Sequence, residues 1–155
     1  YIAFAFRKVS NPVKSWKYGI VTLVTLFHDA LIPLGMLAFL GWWNGLEMNT
    51  NFIVAILVVI GFSVHDTIVV FDRIRENLKM NKGGGFANLV NASINETIAR
   101  SINTSLTLIL VLVALLLLGS ASLQYFILVI LVGTIVGTYS SIFVASPLLV
   151  LWSRQ

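Results

Sequence analysis

Four long apolar segments dominate this chain of 155 residues and limit the folds that it can adopt. They cover residues 18–40, 52–72, 98–118 and 125–152, and each is long enough for the roughly 20 residues that a helix needs to cross the hydrocarbon of a membrane. Charged residues make up 10% of the chain, against about 25% in a soluble domain. The sequence therefore predicts an all-α integral membrane protein with four complete transmembrane helices. Residues 1–6 predict an N-terminal helix stub, the end of a further helix.

Basic residues are concentrated in alternate connections between these segments, and this pattern predicts how the chain crosses the membrane. Lys and Arg occur in residues 7–17, in residues 73–82 and at Arg154, whereas residues 41–51 and 119–124 contain none. Because basic loops stay on the cytoplasmic side, we expect the first and third connections and the C-terminus in the cytoplasm. The basic residues that give the formal net charge of +4 are then expected to face anionic lipid, and no nucleic-acid partner is expected.

A short amphipathic segment precedes the third apolar segment. Phe86, Leu89, Val90 and Ile94 recur on one face after three consecutive glycines, and polar residues occupy the opposite face. Because this pattern is typical of a helix that lies on a membrane surface, it predicts a separate interfacial helix over residues 86–95.

Small residues recur every fourth position in the last apolar segment, at Gly133, Gly137 and Ser141. Such a stripe lets another helix backbone approach closely, so these positions are expected to serve helix packing. Whether the stripe is static or allows one helix to slide along another is left open by the sequence.

Ionisable residues inside the apolar segments are the candidates for function. Asp66 lies in the second segment, Asp29 near the middle of the first, and Arg100 near the inner start of the third. A charge at such a depth costs roughly 2.5 to 3.5 kcal/mol on insertion scales, so it usually faces a protein partner or water. We expect these three side chains to share one polar layer and to form a proton relay. The neighbouring side chains that could assist are His65, Ser63, Thr67 and Thr104.

A buried carboxyl group beside a mobile cation can act as a proton-binding switch. Burial disfavours the charged form of a carboxyl group and a nearby guanidinium favours it, so movement of Arg100 relative to Asp66 would change how tightly Asp66 holds a proton. A static ion pair that only orients the helices is an equally consistent interpretation. Because adjacent residues on a helix point about 100° apart, His65 need not face the same partner as Asp66.

The sequence does not favour metal binding or covalent catalysis. The chain has no cysteine, and each of its two histidines stands directly before an aspartate, which is not the i, i+4 spacing of a helical zinc site. No combination of nucleophile, histidine and acid suggests a hydrolase. We expect no enzyme activity and no cofactor, with protons as the only coupling ion.

Several stretches of the sequence resemble one family of membrane proteins. Residues 61–77, which read GFSVHDTIVVFDRIREN, resemble the signature of SecF, a subunit of the bacterial SecDF protein-export complex, and residues 26–32, 96–105 and 140–146 resemble its other helices. The corresponding motif of the related SecD subunits lacks the Asp-Thr and Phe-Asp elements of residues 61–77, so SecF fits better.

The resemblance implies a fold of the resistance-nodulation-division (RND) transporter type, in which the family's first helix and large extracytoplasmic domain would precede this chain. It also implies a role in moving secreted preproteins across the bacterial cytoplasmic (inner) membrane, driven by the proton-motive force. The partners that it implies are SecD, the SecYEG translocon and, as further candidates, YajC and YidC.

The resemblance also assigns roles to two residues. Asp66 takes the place of the family's proton-linked aspartate, and Arg100 takes that of the arginine that works with it. The position of His65 is often Asn in the family, so no proton role is carried over to it. A scaffold subunit without its own proton path and an RND-type small-molecule exporter remain the alternative functions.

Overall fold

The computed structural model describes residues 13–45, 50–80 and 85–153, and within these residues the chain is almost entirely helical, with no strand. The elements are α1 (Ser15–Asn44), α2 (Thr50–Lys79), α3 (Phe86–Leu118), a 3-10 turn (Ala121–Leu123), α4 (Gln124–Ser140), a π-helical turn (Ser141–Ala145) and α5 (Ser146–Ser153). Among the described residues, four helical stretches are long and apolar enough to cross a membrane, the fourth being the continuous run Ala121–Ser153. The predicted all-α bundle of four membrane helices is therefore confirmed. The predicted stub at residues 1–6 lies outside the described residues.

The third helix corrects the prediction of a separate interfacial helix over residues 86–95. Helix α3 runs without interruption from Phe86 to Leu118, because no glycine or proline occurs between these residues. Leu89 and Val90 are buried in an apolar cluster, and the hydroxyls of Ser93 and Thr97 donate to carbonyls of their own helix. The amphipathic face that resembled a surface helix is therefore the N-terminal end of a membrane helix, turned toward the bundle. We call the end of the bundle that holds the C-terminal end of α2 and the N-terminal end of α3 the inner end, after the topology that the sequence predicts.

The fourth span occupies the centre of the bundle. In its most apolar window 56% of the residues are buried, against 17% to 33% in the other three spans. Small residues explain how α4 reaches this position: a Cβ atom on Gly133 would lie 2.2 Å from Val59 Cγ2, and one on Gly137 would lie 3.1 Å from Ser63 Cβ. Helices α2 and α4 thus cross with their backbones close together.

Two apolar clusters fill the two ends of the bundle, and polar side chains fill the middle. One cluster is formed by residues that include Tyr18, Phe71 and Leu149, and the other includes Leu37 and Leu112. Between them along each helix lie most of the buried polar residues, among them Thr25, Asp29, Ser63, Asp66, Ser105, Thr134, Ser140 and Ser141. The fold therefore provides one polar layer between two apolar layers.

Candidate functional site

Asp29 is the most enclosed charged residue of this polar layer. Its side chain is fully buried. Oδ2 accepts a hydrogen bond from Ser140 Oγ at 2.6 Å and another from Ser63 Oγ, and Oδ1 lies 2.9 Å from Nδ1 of His28. Groups from α1, α2 and α4 thus converge on one carboxyl group.

Asp66 lies in the same layer with fewer contacts. Its side chain is buried, with 7% exposed, and Oδ2 accepts a hydrogen bond of 2.5 Å from Ser141 Oγ. Ser140 and Ser141 are consecutive residues at the junction of α4 and the π-helical turn. One short stretch of the fourth span therefore contacts both carboxyl groups.

The two serines can keep a hydrogen-bond partner in either charge state of the carboxyl groups. Ser140 Oγ also lies 3.1 Å from the carbonyl oxygen of Gly137, and Ser141 Oγ lies 3.0 Å from that of Thr138. A hydroxyl has one hydrogen to donate and two lone pairs to accept with. It can therefore donate to a carboxylate, or accept from a carboxylic acid while donating to its own helix.

A series of hydrogen-bonded side chains connects Asp29 with the outside of the bundle. The Tyr139 hydroxyl lies 3.0 Å from Nε2 of His28, and the two rings pack edge to face with centroids 5.8 Å apart. The His28 side chain is 35% exposed, and Tyr139 is 36% exposed. The order Tyr139, His28, Asp29 thus runs from a partly exposed surface to a fully buried carboxyl group.

Arg100 does not join this layer, contrary to the expectation that it would lie with Asp66 and Asp29. Its side chain is exposed and lines a groove at the inner ends of α2 and α3, together with Asp72, Arg73 and Glu96. Within the described residues, the ion pairs involving Asp29 or Asp66 are limited to the contact with His28. The physical reason is helical direction: Ser101 is the residue that faces the interior, and Arg100 points about 100° away from it.

The predicted helper residues are distributed unevenly. Ser63 contacts Asp29 and not Asp66, while Thr67 is buried on the following turn of α2. His65 is exposed on the other side of α2. Thr104 is exposed, and its hydroxyl donates to the backbone carbonyl of Arg100 at 2.9 Å.

Sequence reasoning missed the serines and the tyrosine that complete the site. Ser141 was expected only to assist helix packing, and Ser140 and Tyr139 were not singled out. The available signal was the position of Ser140 and Ser141 in the last resembling stretch, residues 140–146, and that of Tyr139 directly before it. Tyr139 and Ser140 end α4 and Ser141 begins the π-helical turn, and which of these three side chains meets His28, Asp29 or Asp66 is decided by the rotation of the helix in the bundle, which periodicity does not encode.

Buried hydroxyls continue from this layer toward the inner end along α3. Ser93, Thr97, Ser101 and Ser105 follow one another at intervals of four and are all buried. Thr138 donates to Ser105 Oγ at 2.7 Å, which joins the α3 hydroxyls to the helix that carries Ser140 and Ser141. The polar layer is therefore continuous with a hydroxyl face of α3.

The inner ends of α2 and α3 are held by a network of a different kind. Arg73 bonds to Glu76 and to Glu96, each at 2.5 Å. Asn77 donates to Ser93 Oγ at 2.9 Å and to Glu96 at 3.0 Å. This inner-end network consists of ion pairs and an amide bridge, and most of its charged groups are exposed.

Comparison with known proteins relates the whole chain to protein-export membrane proteins. The family model described as protein export membrane protein SecD/SecF, C-terminal, matches residues 1–155. The protein translocase subunit SecF of Thermobaculum terrenum is 51% identical over 155 residues, which are 100% of this chain and 48% of the relative. The subunit SecDF of Thermus thermophilus is 44% identical over 155 residues, 100% of this chain and 20% of the relative.

A solved structure is similar in fold as well as in sequence. A crystal structure of SecDF in a super-membrane-facing form matches 99% of this chain with a TM-score of 0.87 and 44% identity, and the match covers 19% of that structure. The chain spans about half the length of the SecF relatives. The helix arrangement described above is thus the one that the resemblance implied.

Proposed function

The chain belongs to the SecD/SecF family of protein-export membrane proteins, and on that premise we propose that it couples the proton-motive force to protein export. In this proposal it acts with SecD and the SecYEG translocon on secreted preproteins in the bacterial inner membrane, with its C-terminus in the cytoplasm. YajC and YidC are further candidate partners. The relatives are named as translocase subunits, which supports a transport role.

The observation that carries the proposal is the environment of Asp66. This carboxyl group is buried in the middle of a membrane helix, and its one hydrogen-bond donor within the described residues is the neutral hydroxyl of Ser141. A buried carboxylate that lacks a cation is costly, and a bound proton removes the charge without rearranging the helices. Asp66 is therefore suited to bind and release protons during transport.

Arg100 is proposed to take part in a different step of the cycle. In the present arrangement its guanidinium lies in the inner groove, away from Asp66. A guanidinium that approaches a carboxyl group favours the charged form, so approach of Arg100 to Asp66 would expel the proton and its withdrawal would allow another to bind. Movement of α3 relative to α2 would then accompany each proton.

Replacing Asp66 tests this proposal. In the full-length protein, reconstituted with SecD and SecYEG in vesicles, Asp66→Asn should abolish the stimulation of preprotein export by a proton gradient, with a loss of about tenfold or more. The amide keeps the shape and the acceptor for Ser141, so the amount of assembled complex should stay unchanged. The measurement is the amount of protected preprotein with and without the gradient.

A matched variant separates a proton site from a general effect of charge. Asp72 is on the same helix, exposed at its inner end and paired with Arg75 at 3.3 Å, so Asp72→Asn should leave gradient-driven export near the wild-type level. Normal gradient-driven export by Asp66→Asn would refute the proposal. Loss of complex assembly in Asp66→Asn would instead favour a scaffold subunit.

A further inference from the structure

Asp29 has a connection to the outside of the bundle that Asp66 does not share. His28 Nδ1 lies 2.9 Å from Asp29 Oδ1, and the Tyr139 hydroxyl lies 3.0 Å from Nε2 of the same ring. Asp66, by contrast, contacts Ser141, and His65 beside it is turned away to the exposed side of α2. The two histidine and aspartate pairs of the sequence are thus not equivalent in the fold.

Each member of the Tyr139, His28 and Asp29 chain can both give and accept a hydrogen. A neutral imidazole with its hydrogen on Nδ1 donates to the Asp29 carboxylate and accepts at Nε2 from the tyrosine hydroxyl. A doubly protonated imidazole donates at both nitrogens, and the tyrosine oxygen then accepts. Hydrogen bonds therefore persist as a proton passes, which is what a transfer path needs.

The depth of His28 and Tyr139 along the membrane helices indicates what contacts their exposed edge. His28 is near the middle of α1, which spans Ser15–Asn44, about 20 Å from the inner end of the helix. Around it the surface is apolar, with Phe27 and Phe143 both exposed. Because polar groups at this depth almost always face water or another polypeptide and not lipid, the His28 and Tyr139 edge marks a place where water or a polar partner reaches the bundle.

We propose that Asp29 is a second proton-binding carboxyl group, and that His28 and Tyr139 are its entry path, separate from the access to Asp66. This inference rests on the proposed proton-coupled function. The ionisable groups that face Asp29 are His28 on α1, Tyr139 on α4 and, through the consecutive serines 140 and 141, Asp66 on α2. Protons then enter the polar layer at Asp29. Because the consecutive residues Ser140 and Ser141 contact Asp29 and Asp66, respectively, they couple the charge of one carboxyl group to that of the other.

The transfer step conserves protons. The Tyr139 hydroxyl passes its hydrogen to Nε2 of His28 and receives a replacement proton from a hydronium ion on the exposed side, which is left as water. The hydrogen on Nδ1 moves to Oδ1 of Asp29, which becomes a neutral carboxylic acid. The imidazole stays neutral with its hydrogen now on Nε2, where it donates to the tyrosine oxygen, and transfer in the opposite direction restores the first arrangement.

Infrared difference spectroscopy on the full-length protein in complex with SecD tests the path. A rapid step from about pH 8 to about pH 5, the range in which histidine changes charge, should produce a carboxylic acid band that is absent in Asp29→Asn. In Tyr139→Phe this band should rise at least about tenfold more slowly, to the same final height, because only the entry hydroxyl is lost. His28→Gln, which keeps a donor for Asp29 but cannot relay a proton, should slow the band in the same way.

Matched variants of the same residue types provide the controls. Tyr125→Phe removes a tyrosine hydroxyl at the other end of α4, and His65→Gln removes the exposed histidine beside Asp66, and both should keep the wild-type rate. Absence of any band that depends on Asp29, or an unchanged rate in Tyr139→Phe, overturns the inference. Because these readouts do not involve export, they fail or succeed independently of the Asp66→Asn export result. If His28→Gln does not fold, Tyr139→Phe decides alone.

Discussion

The polar layer in the middle of the bundle and the inner-end network satisfy their charges in opposite ways. At the inner end Arg73 meets Glu76 and Glu96, so positive and negative charges are paired directly. In the middle, within the described residues, Asp29 and Asp66 are surrounded by hydroxyls and one histidine, with no Lys or Arg in contact. A carboxylate that is paired with a cation is stabilised in its charged form and does not favour binding a proton, whereas a buried carboxyl group held by neutral donors can exchange one. The difference separates a structural network from one that can change its charge.

The middle layer also differs within itself. Asp29 contacts hydrogen-bonding groups on three helices, whereas Asp66 has Ser141 as its one such contact among the described residues. A carboxyl group with many donors fixes the positions of the helices around it, and one with a single donor can change its surroundings at lower cost. Asp29 therefore contributes more to the stability of the layer, and Asp66 is freer to respond to movement.

The largest effect should come from separating the helices that form the middle layer. Gly133→Leu places a side chain where even a Cβ atom would lie 2.2 Å from Val59 Cγ2, so α4 must move away from α2. We expect the free energy of unfolding to fall by about 3 kcal/mol or more, the upper range for overpacking, and the serine contacts with Asp29 and Asp66 to be lost.

Denaturant unfolding of the full-length protein in detergent micelles measures this loss. Gly35→Leu is the matched control, because a Cβ at Gly35 meets nothing within 4 Å, and its unfolding free energy should stay close to wild type. Equal losses in the two variants would show that the close approach of α2 and α4 does not hold the middle layer together.

A smaller effect should distinguish the two carboxyl groups. Asp29→Ala leaves Ser63 without its buried acceptor and removes one of the two partners of His28 and of Ser140, so it should lower the free energy of unfolding by about 3 kcal/mol. Asp66→Ala removes the acceptor of one described residue, Ser141, which can still donate to the Thr138 carbonyl at 3.0 Å, and should cost about 1 kcal/mol. Thermal and denaturant unfolding of both variants checks the ranking. If Asp66→Ala were the more destabilising substitution, the assignment of Asp29 as the structural centre of the layer would be wrong.

The sequence predicted the helices well because hydrophobic length is a direct physical requirement of crossing a membrane. It also located Asp29 and Asp66, since a carboxyl group in an apolar segment is conspicuous whatever it contacts. It did not predict that Arg100 points into the inner groove. Adjacent residues of α3 point in different directions, and only the packing of the helix determines whether Ser101 or Arg100 faces the interior of the bundle. It missed Tyr139 and Ser140 because a serine or tyrosine in a membrane helix is common, and only the packing of α4 against α1 brings these side chains to His28 and Asp29.

The smallest effect should appear at the inner-end network, where salt concentration separates its two components. Arg73 is partly exposed and pairs with Glu76 and Glu96, so Arg73→Gln should lower the melting temperature only slightly, and the difference from wild type should disappear near 1 M salt, where the Debye length is about 3 Å. Asn77 is buried and donates to Ser93 and Glu96, so Asn77→Ala should cost about 1 to 2 kcal/mol at any salt concentration. Melting curves of both variants at low and high salt measure the two effects. Two results would contradict this division: a salt-dependent loss in Asn77→Ala, or a large loss in Arg73→Gln that persists at high salt. Either would mean that the inner-end network is as shielded from solvent as the middle layer, so that the two regions differ only in the residues that pair with their carboxyl groups.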